Sequence, residues 1–114
     1  MVDQTILNTI RNYLQAANEA GFHTNRAVLY GSWARGEATE DSDIDLVVLA
    51  PEFDDNYSHE LVSKLWQLRI QDPEAWRIEP IACGEREWLK DDSRAIIEIA
   101  RREGIMITLK QAAA

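Results

Sequence analysis

The chain is 114 residues long, which fits one domain in the common range of about 100–150 residues. With 46% hydrophobic and 28% charged residues it has the composition of an ordinary globular chain, and 12 Lys and Arg against 20 Asp and Glu give a formal net charge of −8. A surface that acidic repels polyphosphate backbones and anionic lipid, which argues against direct nucleic-acid binding and against membrane attachment.

In chain order, Asp3 predicts the cap of a helix whose buried stripe is Ile6, Leu7, Ile10, Leu14 and Ala17, with Gly21 as its stop. Arg26–Tyr30 reads as a short strand running into Gly31-Ser32, followed by a helical turn at 33–36 and a polar loop from Glu37 to Ser42. Ile44–Leu49 is β-rich and Pro51 closes it. From Ser58 to about Ile70, the residues Leu61, Val62, Leu65, Trp66 and Leu68 recur at helical spacing. Trp76–Cys83 is expected as a third strand, Ser93–Glu103 as a helix stopped by Gly104, and Ile105–Leu109 as a closing strand. The order α, β, turn, β, α, β, α, β predicts an α/β (α+β) fold with a mixed sheet flanked by helices.

No apolar run approaches the ~18–20 residues that span a bilayer, and Met1-Val2-Asp3 lacks the basic start of a secretory signal. Cys83 is the lone cysteine and has no intramolecular disulfide partner, which suits a reducing compartment. The expectation is a single cytoplasmic domain over residues 1–111, with Ala112-Ala113-Ala114 a tail of cloning origin.

Three features converge on one chemistry. Gly31-Ser32 stands between a strand and a helical turn, where backbone can approach a ligand closely and amides and a hydroxyl meet negative charge; alone, this is also an ordinary turn. Asp43 and Asp45, two apart, point to one face of a strand, ~6.5–7 Å apart along the chain, while Ile44 and Leu46 go to the core. Paired acids on one strand face repel each other, and a divalent cation offsets that cost; the bland alternative is a solvated strand start. Glu79 is held extended by Pro80, on a strand that Pro confines to a sheet edge, where the carboxylate is accessible or simply solvated.

Two other motifs fail. Gly31 to Gly36 has P-loop spacing, but Glu37 and Ala38 stand where Lys and Ser or Thr are required. Asp41, Asp43, Asp45 and Glu52 match the acidic positions of a calcium loop, but Leu46 occupies the place of its turn glycine.

Gly31-Ser32, ten residues, then Asp43-x-Asp45 resembles the signature of the DNA polymerase β-like nucleotidyltransferase superfamily. The fuller string from Gly31-Ser32-Trp33-Ala34-Arg35-Gly36-Glu37-Ala38 to Ser42-Asp43-Ile44-Asp45-Leu46, and the closing Ala100-Arg101-Arg102-Glu103-Gly104-Ile105, look like its minimal nucleotidyltransferase (MNT) branch over nearly the whole chain. The resemblance implies a mixed-sheet palm that transfers a nucleoside monophosphate, AMP from ATP, to a hydroxyl with two Mg²⁺ ions. It implies Gly31 and Ser32 at the β- and γ-phosphates, Asp43 and Asp45 as ligands of both metals, and Glu79 at the family's third carboxylate, where Asp is common. Arg35 and Ser42 are further phosphate contacts by the same resemblance.

Chains of this size also resemble the partners of all-helical HEPN toxins, acting as antitoxins by adenylylating a tyrosine of the toxin or by binding it without catalysis; self-association as a homodimer stays open. The remaining candidates have bland readings. Trp33, Trp66, Trp76 and Trp88 are expected as core or interface aromatics, His23 and His59 as surface residues, and Cys83 as buried.

Overall fold

A helix begins where a side chain can satisfy its first amides, and Asp3 does so by accepting the Thr5 N–H at 2.7 Å. The computed structural model, which describes residues 2–55, 58–90 and 94–109, runs this helix (α1) over Gln4–Glu19. Ile6, Ile10, Tyr13, Leu14 and Ala17 form its buried stripe, and Gly21 leaves it with φ at +108°. Burying each large apolar side chain contributes about 1.5–3 kcal/mol, so this one face anchors the helix far more strongly than helix propensity does.

Then follow β1 (Arg26–Tyr30), a one-turn helix α2 (Ser32–Arg35), β2 (Ile44–Leu49), a short α3 (Glu52–Asp55) and α4 (His59–Gln67). Ser58 caps α4 by accepting the Leu61 N–H at 3.1 Å. Two 3-10 turns, Leu68–Gln71 and Ala75–Arg77, lead into β3 (Ile78–Cys83), and α5 (Glu85–Lys90), α6 (Ala95–Glu103) and β4 (Ile105–Thr108) complete the order.

Among the described residues four strands make one sheet in the order β3-β2-β1-β4. β1 runs antiparallel to both β2 and β4, and β2 runs parallel to β3, so the sheet is mixed, as the sequence predicts. Period-two alternation divides its side chains between two faces. Ala27, Leu29, Ile44, Leu46, Val48, Ile78 and Ala82 pack with α1 and α4 in the larger core. Val28, Tyr30, Val47, Leu49 and Cys83 pack with Ile97 and Ala100 of α6 in a smaller one. Asp54 braces the second layer by accepting the backbone N–H groups of Arg86 and Glu87 at the start of α5.

Several expectations need correction. The third strand starts at Ile78 rather than Trp76, because residues 75–77 turn as a 3-10 helix and leave Trp76 64% exposed. Of the tryptophans expected in core or interface, Trp33 and Trp88 pack against the two cores, whereas Trp66, 37% exposed, and Trp76 stand at the surface. The helix expected to run on to Ile70 is regular only to Gln67 and then tightens into the first 3-10 turn. The last helix begins at Ala95, and its expected start at Ser93 lies outside the described residues, as does the tail at 112–114. No helix among the described residues is long and apolar enough to cross a membrane.

Candidate active site

Sheet register brings the candidate residues together. Tyr30 on β1 is the cross-strand partner of Asp45 on β2, and Asp45 is the partner of Glu79 on β3. Paired residues share a face, so Tyr30, Asp45 and Glu79 form one row across three strands at the edge of the smaller core. Asp43 stands one residue before β2, exposed, and is close enough to Glu79 for its charge to raise that carboxyl. Glu79 lies on the edge strand that Pro80 requires.

The electrostatics of this row follow from crowding like charges at a half-buried surface. Burial pushes the Asp45 carboxyl above the ordinary carboxylate range, Asp43 pushes it further, and Arg35 opposes both. Glu79 moves the same way, through burial first, then through Asp43 and Asp45, with Arg69 acting in the opposite direction. The Tyr30 hydroxyl is pushed up to about 12 by burial, then by the charges of Asp45 and Glu79, so it stays protonated at neutral pH.

Gly31 makes the close approach possible. It sits at φ +75°, ψ −151°, a region open essentially to glycine, and a Cβ there would stand 2.2 Å from Asp45 Oδ2. Gly31 caps α2, whose leading amides have no intrahelical acceptor, and half-buried Ser32 is the first helical residue. Gly36 ends the turn in the left-handed region at φ +74°. Arg35 is an exposed cation at the site, with Nε donating to Glu37 Oε1 at 3.2 Å. Ser42 spends its hydroxyl oxygen on the Thr39 N–H at 2.8 Å, and its carbonyl accepts from Trp33 Nε1 at 3.3 Å, so it braces the loop between α2 and β2.

Sequence reasoning missed two neighbours of the row, Tyr30 and Arg69, and one of the loop beside it, Arg77. Tyr30 was recoverable, since it directly precedes Gly31 on a strand whose register could be drawn against β2. Arg69 and Arg77 carried no signal, because both arrive from the irregular 68–77 segment. Arg77 donates to the Glu40 carbonyl and lies 5.9 Å over the Trp33 ring, which ties that segment to the site loop.

The donor set fits a divalent metal by chemistry and by electrostatics. Its oxygens are the hard ligands that Mg²⁺ prefers, and two carboxyls pushed toward protonation are what a nearby cation relieves. Among the described residues no three acids, histidines or cysteines stand close enough to hold an ion between them. The row therefore offers separate oxygens rather than a finished cage, consistent with Mg²⁺ being held by one or two carboxylates plus substrate phosphate and water.

A family model described as a nucleotidyltransferase domain matches residues 7–102. No curated protein matches the chain. Among solved structures, a candidate nucleotidyltransferase from Sulfolobus solfataricus is similar at 15% identity, over 88% of this chain and 77% of that one, with a TM-score of 0.49.

Proposed function

Starting from a chain that belongs to the nucleotidyltransferase domain family, we propose that it moves AMP from ATP to a hydroxyl, a tyrosine of a helical HEPN toxin, and acts as that toxin's antitoxin. The observation that carries this reading is the row of Asp45 and Glu79 with Asp43 beside it, closed on one side by Gly31.

In this reading Gly31 and Ser32 receive the β- and γ-phosphates, and Arg35 and Ser42 are further phosphate contacts. Asp43, Asp45 and Glu79 would hold two Mg²⁺ ions, which neutralise phosphate charge and acidify the attacking hydroxyl when bound. The acceptor oxygen forms a bond to the α-phosphorus, the bond from that phosphorus to the α,β-bridging oxygen breaks, pyrophosphate leaves with the electron pair, and the hydroxyl proton passes to water. The net charge of −8 favours a basic partner in the cytoplasm. Incubating the chain with its partner and Mg²⁺–ATP should add one or more AMP masses to the partner; an unchanged mass at saturating ATP refutes transfer.

A second reading is neutralisation of the partner by binding alone, which the net charge of −8 would serve equally against a basic partner. Asp43→Asn and Asp45→Asn separate the two: variants that neutralise the partner as well as the parent does establish binding as the function.

A further inference from the structure

We propose that the cleft between Trp66 and Trp76 docks a polypeptide partner through an apolar anchor flanked by basic residues, and so presents the acceptor hydroxyl to the carboxylate row. The cleft has a volume of about 370 Å³ and is lined by Trp66, Gln67, Arg69, Ile70 and Trp76. Ile70 is 83% exposed, and with Trp66 and Trp76 it groups much of this chain's exposed large apolar surface in one place. Clustered apolar surface of this kind marks interaction sites, and tryptophan is the residue most enriched among anchors of binding energy.

The cleft is built rather than incidental. The Arg69 guanidinium lies 4.6 Å over the Trp66 ring and donates to the Trp76 carbonyl, which holds its two walls together. The same guanidinium is close enough to Glu79 to oppose its upward shift. Trp76 precedes Glu79 by three residues, so their backbones lie at most about 10–11 Å apart. The cleft therefore lies at the end of β3 that carries Glu79.

Charge chooses the occupant. Asp72 and Glu74 stand in the short link that runs from the first 3-10 turn to Trp76, and the whole chain carries −8. A second copy would bring the same acids against these, and a nucleoside triphosphate would bring more negative charge beside them. A polypeptide with Leu or Phe at its centre and Lys at its flanks satisfies both the apolar walls and the acidic link that joins Ile70 to Trp76. Naming that segment as the bearer of the acceptor rests on the transfer reading above; the docking does not.

The test uses a synthetic amphipathic peptide with Leu and Phe on one face and Lys at both ends, and a twin with Glu in place of Lys, titrated by tryptophan fluorescence without ATP or Mg²⁺. The Lys peptide should bind saturably and lose affinity with salt, and the Glu twin should bind at least about tenfold more weakly. Ile70→Glu, at an exposed position that tolerates change, and Trp76→Ala should each weaken binding by about tenfold or more, while Asp43→Asn leaves it unchanged. Loss in Asp43→Asn transfer with intact peptide binding speaks to the chemistry alone. The proposal is overturned if the Lys peptide does not bind, if Ile70→Glu binds it as the parent does, if Mg²⁺–ATP displaces it, or if the parent sediments as a dimer that Ile70→Glu splits.

Discussion

Replacing Gly31 by alanine isolates the contact on which the site depends, because Gly36 supplies a matched control. Both glycines have φ near +75°, so alanine is strained at either. At Gly31 the backbone lies in the region open essentially to glycine, which costs about 1–3 kcal/mol; at Gly36, in the left-handed helical region, alanine costs about 1–2 kcal/mol. At roughly 4 °C per kcal/mol for a domain of this length, both variants lose several degrees of thermal midpoint and remain folded.

They part company at the carboxylate. A Cβ at Gly36 meets nothing within 4 Å, whereas one at Gly31 stands 2.2 Å from Asp45 Oδ2 and ordinary contact begins at 3.4 Å, so Asp45 must retreat by about 1.2 Å (3.4 − 2.2). Misplacement of a reacting centre by about 1 Å costs on the order of 100-fold in rate. Gly31→Ala should therefore slow nucleotidyl transfer by about 100-fold while Gly36→Ala stays near the parent, read by mass spectrometry of the acceptor at a temperature where circular dichroism shows both folded. Equal rates for the two variants would refute the idea that the Gly31–Asp45 approach shapes the site.

Two further outcomes follow from the charges. Asp45 and Glu79 have raised carboxyl pKa values in the fold, so the folded state binds more protons than the unfolded one between about pH 4 and the raised values, and their contribution to stability is lost as pH rises through that window. Asp45→Asn should accordingly flatten the fall in thermal midpoint with rising pH in chelator, and should lose the midpoint gain that Mg²⁺ gives the parent; a parent indifferent to Mg²⁺ would count against metal binding. Cys83 is buried, and burial followed by the Glu87 charge raises its thiol to about 12, so a thiol reagent at pH 8 should label it only at the rate of unfolding; immediate labelling of the native chain would contradict its placement.

Much of this architecture is legible in the sequence because local signals and burial agree. Asp3, the α1 stripe and the two hydrophobic strands β1 and β2 each state their own conformation, and the spacing from Gly31 to Asp45 states their proximity. The failures lie where tertiary context decides. Glu85–Lys90 becomes helix because Asp54, over thirty residues away, accepts its first amides, which no local pattern announces. Trp76 looks like strand by propensity, yet the 3-10 turn at Ala75–Arg77 delays β3 and turns it outward. Asp45 was legible on its strand face from alternation, whereas Asp43, expected on the same strand, falls one residue before it; that Glu79 stands across from Asp45 depends on parallel register between β2 and β3, which a single sequence does not encode.

That register makes the sheet a ruler. Tyr30, Asp45 and Glu79 are spaced by backbone pairing, whose pitch is fixed at about 4.8 Å per strand regardless of what the surrounding loops contain. Loop lengths and sequences around the row can therefore drift toward new recipients without stretching the interval between the acids, whereas a slip of one residue between β2 and β3 would turn Glu79 to the opposite side at a stroke.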